Sequence, residues 1–119
     1  MSTLAMAFPI LPGKTASWRA WMEELNGARH DEFAEARRRA GLHERTFLQH
    51  APTGDLVIVT LEGEDPRRAF EKMVSQNDQF ATWFRGRVEE FHGVDLSKPM
   101  VDVTSEMVID SAAMVATPA

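Results

Sequence analysis

The sequence predicts an α+β domain in the order β-αα-β-β-αα-β, and three observations carry that reading. First, the central run Thr46–Glu62 (TFLQHAPTGDLVIVTLE) reads as two strands joined by a tight turn. Second, each flank of this hairpin carries apolar residues at helical spacing, interrupted once, as in a pair of amphipathic helices. Third, short apolar runs near the two ends have strand length and strand alternation.

The first strand is Leu4 to Ile10, with Leu4, Met6, Phe8 and Ile10 on one face and Ala5 and Ala7 on the other. Pro12-Gly13-Lys14-Thr15 makes a turn, with Thr15 or Ser17 as N-cap of the first helix. The Gly-Lys-Thr triplet is not a phosphate-binding loop, because Phe8 stands where that motif needs its earlier glycine. The first helix covers about 16–25, and its stripe of Trp18, Trp21, Met22 and Leu25 suits a core or an aromatic pocket wall. The second covers about 28–40 and ends at Gly41, with Phe33, Ala36 and Ala40 as its apolar stripe. Arg38 and Arg39 point away from that stripe. Arg37, four residues after Phe33, falls on it, and a guanidinium there needs a carboxylate, a backbone carbonyl or an anionic ligand.

In the hairpin, a four-residue turn at Pro52–Asp55 sets Ala51 against Leu56, Gln49 against Ile58 and Phe47 against Thr60. Thr46, Leu48 and His50 then share the other face with Leu61, Val59 and Val57. Leu56–Leu61 is apolar on both faces apart from Thr60, so both faces need cover. Helices of the same chain cover one. The cheapest cover for the other is the same sheet of a second subunit, which predicts a homodimer.

Asp65-Pro66 starts the third helix, with Ala69, Phe70, Met73 and Val74 inward. Asp78 caps the fourth, which carries Phe80, Trp83, Phe84, Val88 and Phe91. His92 lies in its last turn, where a protonated imidazole suits the helix dipole, and Gly93 closes it. Val101, Val103, Met107 and Ile109 alternate with polar residues as a last strand. Residues 1–110 thus form one domain, and 111–119 a small-residue, mobile tail.

Composition narrows function more than it defines it. The 119 residues contain no cysteine, which excludes disulfides, thiolate catalysis and cysteine-ligated metals. A net charge of −5 argues against a nucleic-acid surface. No run is long and apolar enough to span a membrane, and Pro9 and Pro12 break the N-terminal run, which has no basic flank; the expectation is a cytoplasmic protein. His30, His43, His50 and His92 show no metal-binding spacing, and glycine motifs for dinucleotides or hydrolase nucleophiles are lacking. The reading expects neither metal nor cofactor.

The element order is the split βαβ plan of the ferredoxin-like fold, a four-stranded antiparallel sheet with helices on one face. Three phrases, FPILPGKTASWRAWMEELNG at 8–27, LQHAPTGDLVIVTLEG at 48–63 and WFRGRVEEFHGVDL at 83–96, make the chain resemble an uncharacterised bacterial family of the dimeric α/β-barrel superfamily. The resemblance implies two sheets closed into a barrel across a two-fold axis. It also implies one of the superfamily's activities: cofactor-free or haem-degrading monooxygenases, lactone isomerases, polyketide-type cyclases or stress-responsive barrel proteins. The breadth of the superfamily leaves the reaction open, and no catalytic residue is carried over from it.

Candidate site residues are therefore polar or aromatic groups that the pattern turns inward. His50 is the candidate general base and Arg37 the group that polarises or holds an oxygen. Trp18, Phe47 and Trp83 would line the pocket, and Gln49 and Thr60 would orient a carbonyl or a water. Two functions fit these residues. One is a small-molecule enzyme of aromatic or secondary metabolism, of monooxygenase, cyclase or isomerase type. The other is a non-catalytic dimeric module that binds a ligand.

Overall fold

A computed structural model describes residues 1–98 and 105–112. Its elements are β1 (Ser2–Pro9), α1 (Thr15–Asn26), α2 (His30–Ala40), β2 (His43–Ala51), β3 (Gly54–Gly63), α3 (Pro66–Val74) and α4 (Gln79–His92). The strands form one antiparallel sheet in the order β1-β3-β2. The architecture is thus β-α-α-β-β-α-α.

The sheet has three strands among the described residues, not the four expected. Residues 101–104 of the expected last strand lie outside the described residues, as does the expected tail from 113 on. Residues 105–110 have no strand pairing, and Met107, Val108 and Ile109 stand 64%, 81% and 84% exposed. Alternation alone does not make a strand without a partner's backbone groups to bond. This segment nevertheless touches β1: the Ser105 hydroxyl donates to the Ala5 carbonyl, and Arg67 donates to the Ser105 carbonyl at 3.1 Å.

The hairpin turn is tighter than expected. Ala51 pairs with Gly54, so the loop is the two residues Pro52-Thr53, and Leu48 meets Val57 while Phe47 meets Ile58. Gly54 closes the turn at φ 131°, a backbone region open to glycine. Relative to a four-residue turn, every pair slips by two positions. Because side chains alternate with period two, the slip moves no residue to the other face.

All four helices pack on one face, over the aligned rows Leu4-Leu61, Met6-Val59 and Phe8-Val57 of β1 and β3. Trp18, Trp21 and Leu25 of α1, Phe70 of α3 and Phe80, Val88 and Phe91 of α4 complete the core. The helix starts follow local chemistry. Asp65 and Asp78 accept from the backbone N–H groups of Arg68 and Ala81, and Pro66 takes the first turn of α3. For α1 the expected cap fails: Lys14 holds the cap position, and the Thr15 hydroxyl instead donates to Asp55 across the sheet at 2.7 Å. The opposite sheet face, with Ala5, Ala7, Phe47, Leu56 and Ile58, carries no helix among the described residues; Phe47 is 52% exposed on it.

Candidate functional site

Between the helices and the sheet lies a cavity of about 1010 Å³ with mostly apolar walls. That volume is at the upper end for small-molecule sites. Its floor is the sheet row of Met6, Phe8, Leu48, Val57, Val59 and Leu61. Its roof brings α1 (Trp18, Trp21), α2 (Phe33, Arg37) and α4 (Phe84, His92) together. The aromatics hold one another: Trp21 packs against Phe84 at 5.0 Å and Phe91 at 5.6 Å, and Phe33 stacks on Phe84 at 6.1 Å.

Among the lining residues, three buried side chains carry a polar atom without a partner among the described residues. Arg37 is 6% exposed, and its Nε donates to Glu44 at 2.5 Å in an ion pair whose side chains are both 8% exposed. Its guanidinium carbon lies 4.8 Å from the Phe33 ring and 4.7 Å from the Phe84 ring. One nitrogen, Nη2, is buried without a hydrogen-bond partner among the described residues, and so are the indole Nε1 atoms of Trp18 and Trp21. All three residues line the cavity, and each unbonded buried donor costs about 1–3 kcal/mol.

A further buried polar group on the lining is His92, at the end of α4. It is 6% exposed, its Nδ1 donates to the Pro9 carbonyl at 2.9 Å, and Phe8 lies 5.5 Å away. Burial pushes its pKa below the ordinary value of 6.5, the Pro9 bond opposing this in part. The imidazole is therefore neutral at neutral pH, not the protonated cap expected from its place at a helix end. With Nδ1 donating, Nε2 holds a free lone pair. Gly93 follows in the left-handed region at φ 69° and lets the chain leave the helix directly behind it.

Of the residues singled out from sequence, Trp18 and Arg37 stand on this cavity. Trp83 packs behind its wall, edge-on to Trp21 at 6.5 Å and beneath the Arg29 guanidinium at 4.0 Å. Phe47, Gln49 and Thr60 lie on the opposite face of the sheet. His50 sits at the turn end of the hairpin with its side chain 67% exposed, donating to Asp55 at 2.7 Å. Asp55 also accepts from Thr15, and these two bonds, Thr15's first, hold its carboxyl below the usual range. The cluster ties α1 to the hairpin, away from the cavity. Among the described residues no three His, Asp or Glu side chains converge as metal ligands, and no helix is long and apolar enough to cross a membrane.

Sequence reasoning passed over Glu44 and His92 as site residues. The signal for His92 was available: it follows Val88 by four residues and Phe84 by eight, so it falls on the apolar stripe of α4 as Arg37 does on α2. Glu44 gives no such signal, because only the pairing of β2 with β3 turns it toward the helices.

The comparisons with known proteins give one finding. A family described as "Family of unknown function (DUF6176)" matches residues 1–97, and the chain belongs to it. No curated protein and no solved structure matches the chain.

Proposed function

We propose that this member of the DUF6176 family binds a small aromatic carbonyl compound in the cavity between its helices and its sheet. One observation carries the reading: Trp18, Trp21 and Arg37 line one mostly apolar cavity, and each has a buried donor (Nε1, Nε1 and Nη2) without a partner among the described residues. Buried donors are rarely left unbonded, so a group of three calls for a ligand with acceptors and an apolar body. Arg37 read from sequence suits an acidic ligand. The Glu44 carboxylate beside it changes that, because it already neutralises the guanidinium. A second carboxylate buried there would add an uncompensated charge, whereas a neutral carbonyl oxygen accepts from Nη2 without one.

The test compares two probes of similar shape, 1,4-diacetylbenzene and 4-acetylbenzoate, by calorimetric titration. The proposal expects the neutral diketone to bind at least ten times more tightly, and Trp18→Phe, which keeps a ring but removes the N–H, to weaken it. Equal binding of both by wild type and variant, or binding of neither, contradicts it.

The uncovered sheet face supports a second element, a homodimer. Ala5, Ala7, Leu56, Ile58 and the half-exposed Phe47 form an apolar surface on a face that the helices leave free. Packing two such faces together would give the barrel that the sequence resemblance implies. Phe47, Gln49 and Thr60 would then be interface residues. Sedimentation at micromolar concentration separates this from a 13.4 kDa monomer.

A further inference from the structure

We infer that His92 makes the cavity catalytic, as the base that removes a proton from the carbon next to a ligand carbonyl whose oxygen is held by Trp18. The inference rests on the binding reading above and adds a reaction to it.

The first support is position. α1 begins six residues after β1 ends, so Trp18 stands in its first turn above the far end of that strand. His92 is tied to Pro9 at the same end, and Leu11 N–H donates to the Phe91 carbonyl at 2.8 Å, fixing α4 there. Trp18 and His92 therefore share one end of the cavity. Arg37 stands at the other, where Glu44 is level with Leu61 and Leu4. From Leu4 to Phe8 is four residues, roughly 14 Å at about 3.4 Å per residue. A benzene ring with carbonyl oxygens on opposite sides, about 7 Å apart, reaches across most of that span once a hydrogen bond of about 3 Å is added at each end.

The second support is the state of the imidazole. The Nδ1–H bond to a backbone carbonyl fixes the tautomer and leaves Nε2 unprotonated. Among the described residues no ion pair holds His92, in contrast to His50, which pairs with Asp55. A neutral, oriented imidazole on a cavity wall is built to accept a proton. The indole N–H of Trp18 supplies the complementary part, a fixed donor for the oxygen on which charge develops.

The step balances within the protein and ligand. The C–H bond breaks and its proton moves to Nε2. The C–H electron pair becomes a C=C bond, and the carbonyl π pair moves to oxygen, giving an enolate that accepts from Trp18. The imidazolium then returns a proton to carbon or to oxygen, so the net reaction is a tautomerisation that consumes no oxidant or reductant. The substrate class is an aromatic ketone with an acidic neighbouring C–H.

The experiment uses 1,4-diacetylbenzene with the full chain in D2O, following loss of the acetyl methyl signal by proton NMR and binding by calorimetry. Wild type should exchange the methyl protons at least 100-fold faster than buffer, in the range of general-base catalysis. His92→Gln, which can still donate to Pro9 but has no basic nitrogen, should lose that acceleration and keep its Kd within threefold. Trp18→Phe, at saturating probe, should lose about tenfold in rate and covers the case in which the His92 variant does not fold. His30→Gln, altering an exposed side chain, should match wild type. Tight binding with no acceleration by wild type, or full acceleration by His92→Gln, overturns the inference and leaves the binding reading standing. No binding by wild type overturns both.

Discussion

The two faces of the sheet use the same strands to opposite ends. Toward the helices, β1 and β3 present Leu4, Met6, Phe8, Val57 and Leu61, all buried, and a cavity rather than a filled layer above them. Toward the other side they present Ala5, Ala7, Leu56 and Ile58, small or half-covered, with Phe47 of β2 standing out. The buried face holds its polar groups in odd number: the carboxylate of Glu44 answers one nitrogen of Arg37, and three donors remain. The bare face holds no buried polar group at all among the described residues. Unsatisfied donors mark where a ligand belongs, and exposed apolar area marks where another protein surface belongs. On the functions proposed above, the first face would hold the ligand and the second a partner subunit.

The comparison breaks most visibly at Arg37. Arg37→Ala leaves Glu44 buried and unpaired, which should cost about 3–5 kcal/mol in urea unfolding. A loss below about 1 kcal/mol would mean that the Arg37–Glu44 pair is solvated. On the other side, Phe47→Asp should leave monomer stability nearly unchanged and weaken self-association by about 2 kcal/mol, roughly 30-fold. Sedimentation that shows the same mass for wild type and variant would remove association from that face.

Acid sharpens the contrast further. The folded pKa of His92 lies below its ordinary 6.5, so the unfolded chain takes the proton more readily. Its contribution is fully present above pH 6.5 and is lost as pH falls through the lower folded value. Thermal unfolding from pH 8 to pH 5 should show a falling Tm that His92→Gln flattens. The lowered carboxyl of Asp55 acts in a separate window, its stabilisation present above 3.8 and lost as pH falls through its folded value. Asp55→Asn should remove only that more acidic loss. The smallest effect is expected at Trp18. Trp18→Phe gives up ring area but also removes a buried N–H without a partner, so net stability should change by about 1 kcal/mol or less. A cost of several kcal/mol would show that the indole is bonded in the free protein.

Much of this architecture is legible in the residues. The period-two and period-3.6 patterns place all seven elements, and the Asp65-Pro66 and Asp78 signals fix two helix starts because their chemistry is local. The face assignment of the hairpin survives an error of two residues in its turn, since parity and not register decides which side chains point together. Arg37 stands out because a charge on an apolar stripe contradicts the pattern around it. The fourth strand is less legible: alternation at 101–109 suggests one, yet pairing depends on what lies beside it and not on the segment itself. His50 misleads for a related reason. It shares a face with Leu48 and Val57, as the alternation says, but it pairs with Asp55 at the turn end, where its side chain is 67% exposed. The orphan indole nitrogens could not be read at all, because partnerless burial is a property of packed neighbours and not of a sequence position.

The central claim is that the buried face offers donors to an acceptor-bearing ligand, and the chain's three tryptophans allow it to be read directly. Titrating 1,4-diacetylbenzene into 15N-labelled protein reports each indole N–H separately, with Trp→Phe variants for assignment. Two indole resonances, those of Trp18 and Trp21, should move downfield and saturate together as their N–H groups gain an acceptor, while that of Trp83, behind the wall, moves less. Indole resonances that stay still, or that drift equally without saturating, would contradict the claim.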